Sequence, residues 1–140
     1  MLQIKRPAEK NSLDELLGFV LDRARDRGFS PTRIREVELA VEESLVNILT
    51  YAYPQSPGDV QIRCEKDEKR LVLAIQDHGI PFDPLSLPVP DMLAELAARQ
   101  VGGLGVFFVR TMTDHVEYRR EGDCNVLTLT FGRTTPLAGD

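Results

Sequence analysis

Three segments of this 140-residue chain carry residue types whose spacing can do chemistry. In Glu42-Glu43-Ser44-Leu45-Val46-Asn47, Glu43 and Asn47 stand four apart. On a helix they lie about 40° apart around the axis and share a face. A carboxylate and an amide so placed can hold a hard cation and orient a hydroxyl. Taken alone, the pair reads first as polar helix surface. The second segment is Asp77-His78-Gly79-Ile80-Pro81-Phe82-Asp83-Pro84, directly after an apolar run. An aspartate at a strand end can accept a hydrogen bond from the exocyclic amine of a purine, and a glycine two residues on permits close backbone approach. Asp-x-Gly alone is a common turn. The third is Gly102-Gly103-Leu104-Gly105. At a helix start, its backbone N–H groups and the helix dipole would favour a phosphate. Close helix–sheet packing explains a glycine cluster equally well. No Gly-Lys-Ser/Thr follows, so the cluster is not a Walker motif. Nor does it follow the first strand of an alternating strand–helix series, which disfavours a dinucleotide-binding fold.

The elements that must position these segments read as follows. Residues 1–6 alternate weakly and suggest a first strand. Ser12 with Glu15 three later is the capping-box pattern. Leu13, Leu16, Leu17, Val20, Leu21 and Ala24 then recur at helical spacing, and Gly28 ends that helix. Ser30-Pro31 starts a second helix, predicted to run to about Ala52, with the apolar stripe Ile34, Val37, Val41, Leu45 and Ile48. Val60–Glu65 and Leu71–Gln76 read as a hairpin, as do His115–Arg120 and Asn125–Phe131, the latter turning at Glu121-Gly122-Asp123. Asp77 to Pro90 is loop, and Asp91 to Ala98 a candidate short helix. The Gly102–Gly105 cluster is read as entry into a further helix through Val106–Val109. Strand, helix, helix, hairpin, loop, helix, hairpin implies one α+β domain over residues 1–140: a two-layer sandwich, its mixed, mostly antiparallel sheet covered by helices on one face.

The bulk properties exclude several classes. Hydrophobic residues make up 42% and charged residues 28%, enough apolar material for a core. Seventeen Lys and Arg against 22 Asp and Glu give a net charge of −5, which reads against direct nucleic-acid binding. No apolar run reaches the length of a membrane span, and the N-terminus lacks the apolar core of a signal peptide, so a cytoplasmic protein with no membrane partner is expected. Cys64 and Cys124 match no metal-ligand spacing and are expected as buried reduced thiols. Only His78 and His115 offer imidazoles, which nearly excludes a multi-histidine metal site.

Order and spacing make the three segments specific together. Glu43 to Asn47 resembles the asparagine box of the histidine-kinase-like ATPase superfamily, which includes gyrase, heat-shock chaperones, mismatch-repair ATPases and sensor histidine kinases. Asp77-x-Gly79-x-Pro81-Phe82-Asp83-Pro84 resembles the first glycine box in the form used by anti-sigma-factor serine/threonine kinases. Gly102-Gly103-Leu104-Gly105-Val106-Phe107-Phe108-Val109-Arg110, through Asp114, resembles their second glycine box. The resemblance covers roughly residues 10 to 131.

It implies an ATP-dependent protein kinase that sequesters a sigma factor and phosphorylates a serine on a small antagonist protein, as a homodimer. Asn47 would bind the magnesium ion that bridges the ATP phosphates, and Glu43 would be the general base. Asp77 would recognise the adenine amine, and Gly79 would leave room for the base. Residues 85–101 would form a lid, from which Arg99 could reach the terminal phosphate. Gly103, Leu104 and Gly105 would offer N–H groups to the phosphates. Members often place a threonine near the start of the last strand, close to the adenine; here Cys124-Asn125 falls near that point, and the contact stays unassigned. Neither His78 nor His115 is on a convincing acceptor helix, which reads against a complete sensor histidine kinase. The alternatives are a nucleotide-gated protein-binding module without kinase activity and an interaction domain with a vestigial pocket.

Overall fold

In the computed structural model, residues 2–83, 85 and 109–134 are described. Among them, the chain runs β1 (Leu2–Pro7), a 3-10 turn (Lys10–Ser12), α1 (Leu13–Asp26), α2 (Pro31–Tyr51), β2 (Asp59–Cys64), β3 (Leu71–Asp77), β4 (His115–Glu121) and β5 (Cys124–Phe131). Residues 109–112 are helical, as expected for the segment entered from the glycine cluster. The sheet order is β1-β2-β3-β5-β4, and every described pairing is antiparallel, the limiting case of the mostly antiparallel sheet expected.

Strand alternation decides which side chains meet the helices. Val60, Ile62 and Cys64 of β2, Leu71, Leu73 and Ile75 of β3, and Leu127, Leu129 and Phe131 of β5 point to one face and are buried. Leu16, Val20 and Ala24 of α1 and Val37, Val41 and Leu45 of α2 close the same core, with Ile34 and Ile48 half-buried against it. The register matches these rows across the sheet, pairing Ile62 with Ile75 and Ile75 with Leu127. At one end the same rows turn polar, because Asp77 pairs with Asn125, and Asn125 with Arg120.

The helix ends explain how the chain enters and leaves the helical layer. Ser30 Oγ accepts from the Arg33 N–H at 3.1 Å, and Pro31 occupies the first turn, as the sequence predicts. At the end of α1, Gly28 has φ +75°, its N–H donates to the Arg25 carbonyl, and the Phe29 N–H donates to the Ala24 carbonyl. This is the Schellman arrangement, and it buries Phe29. The capping box predicted at Ser12 does not form. The 3-10 turn already puts Ser12 in a helical conformation, φ −85° and ψ −13°, not the extended one from which a side chain caps the first turn, and its side chain makes no cap bond. Glu15 instead accepts from Arg6 Nε at 3.0 Å.

Arg33 is buried under the helical layer, with 1% of its surface exposed. Its guanidinium donates to the Gly132 carbonyl at 2.8 Å, to the Met112 carbonyl at 2.7 Å and to Glu36 at 3.1 Å. It lies 3.6 Å from Asp114 and stands over the Phe131 ring. One cation thereby ties the start of α2 to the end of β5 and to helical residues 109–112.

Candidate functional site

At the polar end of the sheet, the last turns of α2 face the ends of β3 and β5. Ser44, Asn47, Ile48, Ala52, Ile75, Asp77, Phe82, Tyr118, Asn125 and Leu127 enclose a mainly apolar pocket there. It offers about 20 Å³ to the centre of a water-sized sphere, room for about one water molecule. Four polar side chains on its wall, Ser44, Asn47, Asp77 and Asn125, are buried.

Asp77 sits at the end of β3. Its Oδ1 accepts from the Gly79 N–H at 2.8 Å and from Asn125 Nδ2 at 2.9 Å. Both bonds fall on Oδ1, and Oδ2 has no hydrogen bond among the described residues. A side chain anchored through one oxygen presents the other in a fixed direction. Asn125 is the hub of this end. Its Nδ2 also donates to the Ile80 carbonyl at 2.7 Å, while its Oδ1 accepts from Tyr118 Oη at 2.6 Å, from Arg120 at 3.2 Å and from the Phe82 N–H at 3.4 Å. The Phe82 ring then stacks on Tyr51, centroids 5.4 Å apart and planes at 22°. The Ile80–Phe82 segment is thus strapped across the pocket.

Gly79 is required by the scaffold. A Cβ there would lie 2.2 Å from the Ala52 carbonyl oxygen. That carbonyl ends α2 and accepts from the Ile80 N–H at 2.9 Å, which satisfies one of the groups a helix C-terminus leaves open. The room that Gly79 leaves on its Cβ side is therefore taken by the end of α2.

On α2, Asn47 is 4% exposed, so the reading of this face as polar helix surface fails for it. Its Oδ1 is buried and, among the described residues, without a hydrogen-bond partner, and so is Glu43 Oε2 one turn earlier. Burial, and secondarily the neighbouring Glu42 charge, raise the Glu43 pKa above the ordinary carboxylate value. Two orphaned acceptor oxygens a turn apart are costly unless something donates to them or binds them as a cation. Oxygen ligands of this kind suit a hard divalent ion, so the residues present fit magnesium.

The structure thus brings Asn47, Asp77 and Gly79 to one end of the sheet, with Glu43 one turn before Asn47. Arg99, Gly103, Leu104 and Gly105 lie outside the described residues, as does the expected lid apart from Leu85. Leu85 receives a hydrogen bond on its carbonyl from Arg110. Asn125 is the site residue left unassigned from sequence. Its partner Asp77 is 48 positions upstream, and only the strand pairing brings the two together. Its position near the start of the last strand was the signal available.

Known proteins resemble this chain in sequence and in fold. Residues 6–131 match the family model described as the histidine kinase-like ATPase domain. The chain is 24% identical over 143 residues to the serine-protein kinase RsbW of Bacillus thuringiensis (strain Al Hakam), an alignment covering 99% of this chain and 89% of that protein. RsbW of Bacillus cereus (strain AH187) aligns with the same identity and coverage. Among solved structures, the histidine kinase domain of the Erythrobacter litoralis EL346 blue-light activated histidine kinase superposes with a TM-score of 0.54 at 19% identity. That match takes in 86% of this chain and 60% of the other, and it concerns the fold.

Proposed function

This chain belongs to the histidine kinase-like ATPase domain family, and from that premise we propose that it is an ATP-dependent serine-protein kinase of the anti-sigma type. The observation that carries the reading is the pair of buried, unpartnered oxygens, Glu43 Oε2 and Asn47 Oδ1, one turn apart on α2. ATP would supply the phosphoryl group and magnesium would neutralise charge on its phosphate oxygens. Asn47 Oδ1 is the oxygen that would hold the ion. Asp77 would accept a hydrogen bond from the purine amine at Oδ2, while Asn125 fixes its carboxylate through Oδ1. Glu43 takes the proton of the attacking serine hydroxyl; its raised pKa brings it nearer the working pH, which makes it a better base. The helical segment 109–112 follows the glycine box, whose Gly103, Leu104 and Gly105 would meet the phosphates, with Arg99 completing the lid.

The resemblance of the boxes extends the proposal to partners. The chain would bind a sigma factor in one state and phosphorylate a serine on an antagonist protein in another, as a cytoplasmic homodimer. The added phosphate charge would dissociate that pair. None of the helices among the described residues is long and apolar enough to cross a membrane.

Calorimetry tests the pocket first. ATP binding should be magnesium-dependent, lost in Asp77→Ala, and deprived of its magnesium dependence in Asn47→Ala. No binding by the native chain would overturn the reading. Transfer of labelled phosphate to the antagonist should fall by about 10²–10⁴-fold in Glu43→Ala with nucleotide binding retained. If native chain and variant alike transfer nothing while both bind ATP, the chain is a nucleotide-gated binding module.

A further inference from the structure

Opposite the nucleotide pocket, the sheet brings together three side chains that the pocket does not use. Asn125 and Asp77 point toward the helices. Their neighbours Cys124 and His78 therefore turn to the other face, where the Glu121–Cys124 turn adds Asp123. The thiol, imidazole and carboxylate ligand atoms all lie within 4.8 Å of one another, the one such group of three among the described residues. His78 and Asp123 are exposed and Cys124 is half-buried, so an ion can reach them.

We propose that His78, Asp123 and Cys124 form a binding site for a divalent cation of the zinc class, with water in the remaining position. The donor set is the argument. One sulfur, one imidazole nitrogen and one carboxylate oxygen suit a borderline-soft ion and disfavour magnesium, which prefers oxygen alone. Tetrahedral bonds of about 2.0–2.3 Å place ligand atoms ~3.3–3.8 Å apart, a contraction that exposed side chains reach by rotation. Two contacts place the sulfur. The Cys124 thiol donates to Asp123 Oδ1 at 3.3 Å, and Gln76 Nε2 donates to Sγ at 3.5 Å. On binding, the metal–sulfur bond replaces the S–H bond, the proton leaves to solvent, and no electrons change hands. The Gln76 N–H then supports the thiolate from outside the ligand set. The backbone around the ligands is fixed on both sides. The His78 backbone N–H donates to Tyr53 Oη at 2.8 Å, and Gly122, at φ +59°, shapes the turn that carries Asp123. An ion there fastens the strand end bearing Asp77 to the one bearing Asn125 from behind.

The test is titration of the reduced, nucleotide-free chain with Co²⁺. One equivalent should bind with a thiolate-to-cobalt charge-transfer band that Zn²⁺ abolishes by displacement. Cys124→Ser should lose the band and His78→Ala should lose or greatly weaken it, while Cys64→Ser, altering the buried thiol, keeps it. Zn²⁺ should raise the melting temperature of the native chain and leave that of Cys124→Ser unchanged, with circular dichroism checking each fold. Absence of a thiolate band, its persistence in Cys124→Ser, or an unchanged band in His78→Ala would overturn the site.

Discussion

Glu43 ionised in a half-buried position, with one carboxylate oxygen lacking a partner among the described residues, is a cost to the fold that the proposed role as a base would account for. Its raised pKa means that the folded state binds this proton more tightly than the unfolded chain does. The favourable contribution is therefore complete below the ordinary glutamate range and is lost as pH rises through the raised value. Glu43→Gln should accordingly melt at a higher temperature than the native protein at pH 8, and the difference should shrink as pH falls below 4. Melting curves across that range check the sign; a variant less stable at pH 8 would contradict it. Residue types at these positions were legible because a chemistry demands them. Glu43 and Asn47 belong to one spaced motif and Asp77 to a second, and the matching family model spans both. Asn125, Cys124 and His78 were not legible as partners, because each acts through a residue on a different strand and sequence distance hides the pairing.

At the scale of elements, periodicity was enough to place both helices and both hairpins within a residue or two, since burying one face leaves little choice of register. The failure at Ser12 is instructive. A capping box needs an extended residue before the helix, and the 3-10 turn after β1 removes it. Local pattern cannot foresee how the preceding strand delivers the chain. The junction of α2 with the turn after β3 depends on Gly79, where a methyl group would collide with the Ala52 carbonyl. Gly79→Ala should destabilise by about 1–3 kcal/mol, the usual cost of overpacking, and should weaken ATP binding as the Asp77 turn shifts. Urea denaturation with nucleotide titration checks both. Unchanged stability would mean that the turn moves freely against α2.

Across the whole molecule, one buried cation joins segments far apart in sequence. Arg33 had no motif to announce it, and a charged residue near a helix start reads as surface. Arg33→Ala should cost about 3–5 kcal/mol, because it strands two backbone carbonyls and removes a buried guanidinium that two carboxylates face. The urea midpoint measures this, and a loss under 1 kcal/mol would show that the network is dispensable. The order β1-β2-β3-β5-β4 has a related consequence. Neighbours Asp77 and Asn125 hold the Ile80–Phe82 strap, with its Tyr51 stack, against the pocket. If a purine enters only with the strap lifted, its apparent affinity is the intrinsic affinity scaled by the lifted fraction. Any second event that favours the lifted form would then tighten nucleotide binding without touching the nucleotide.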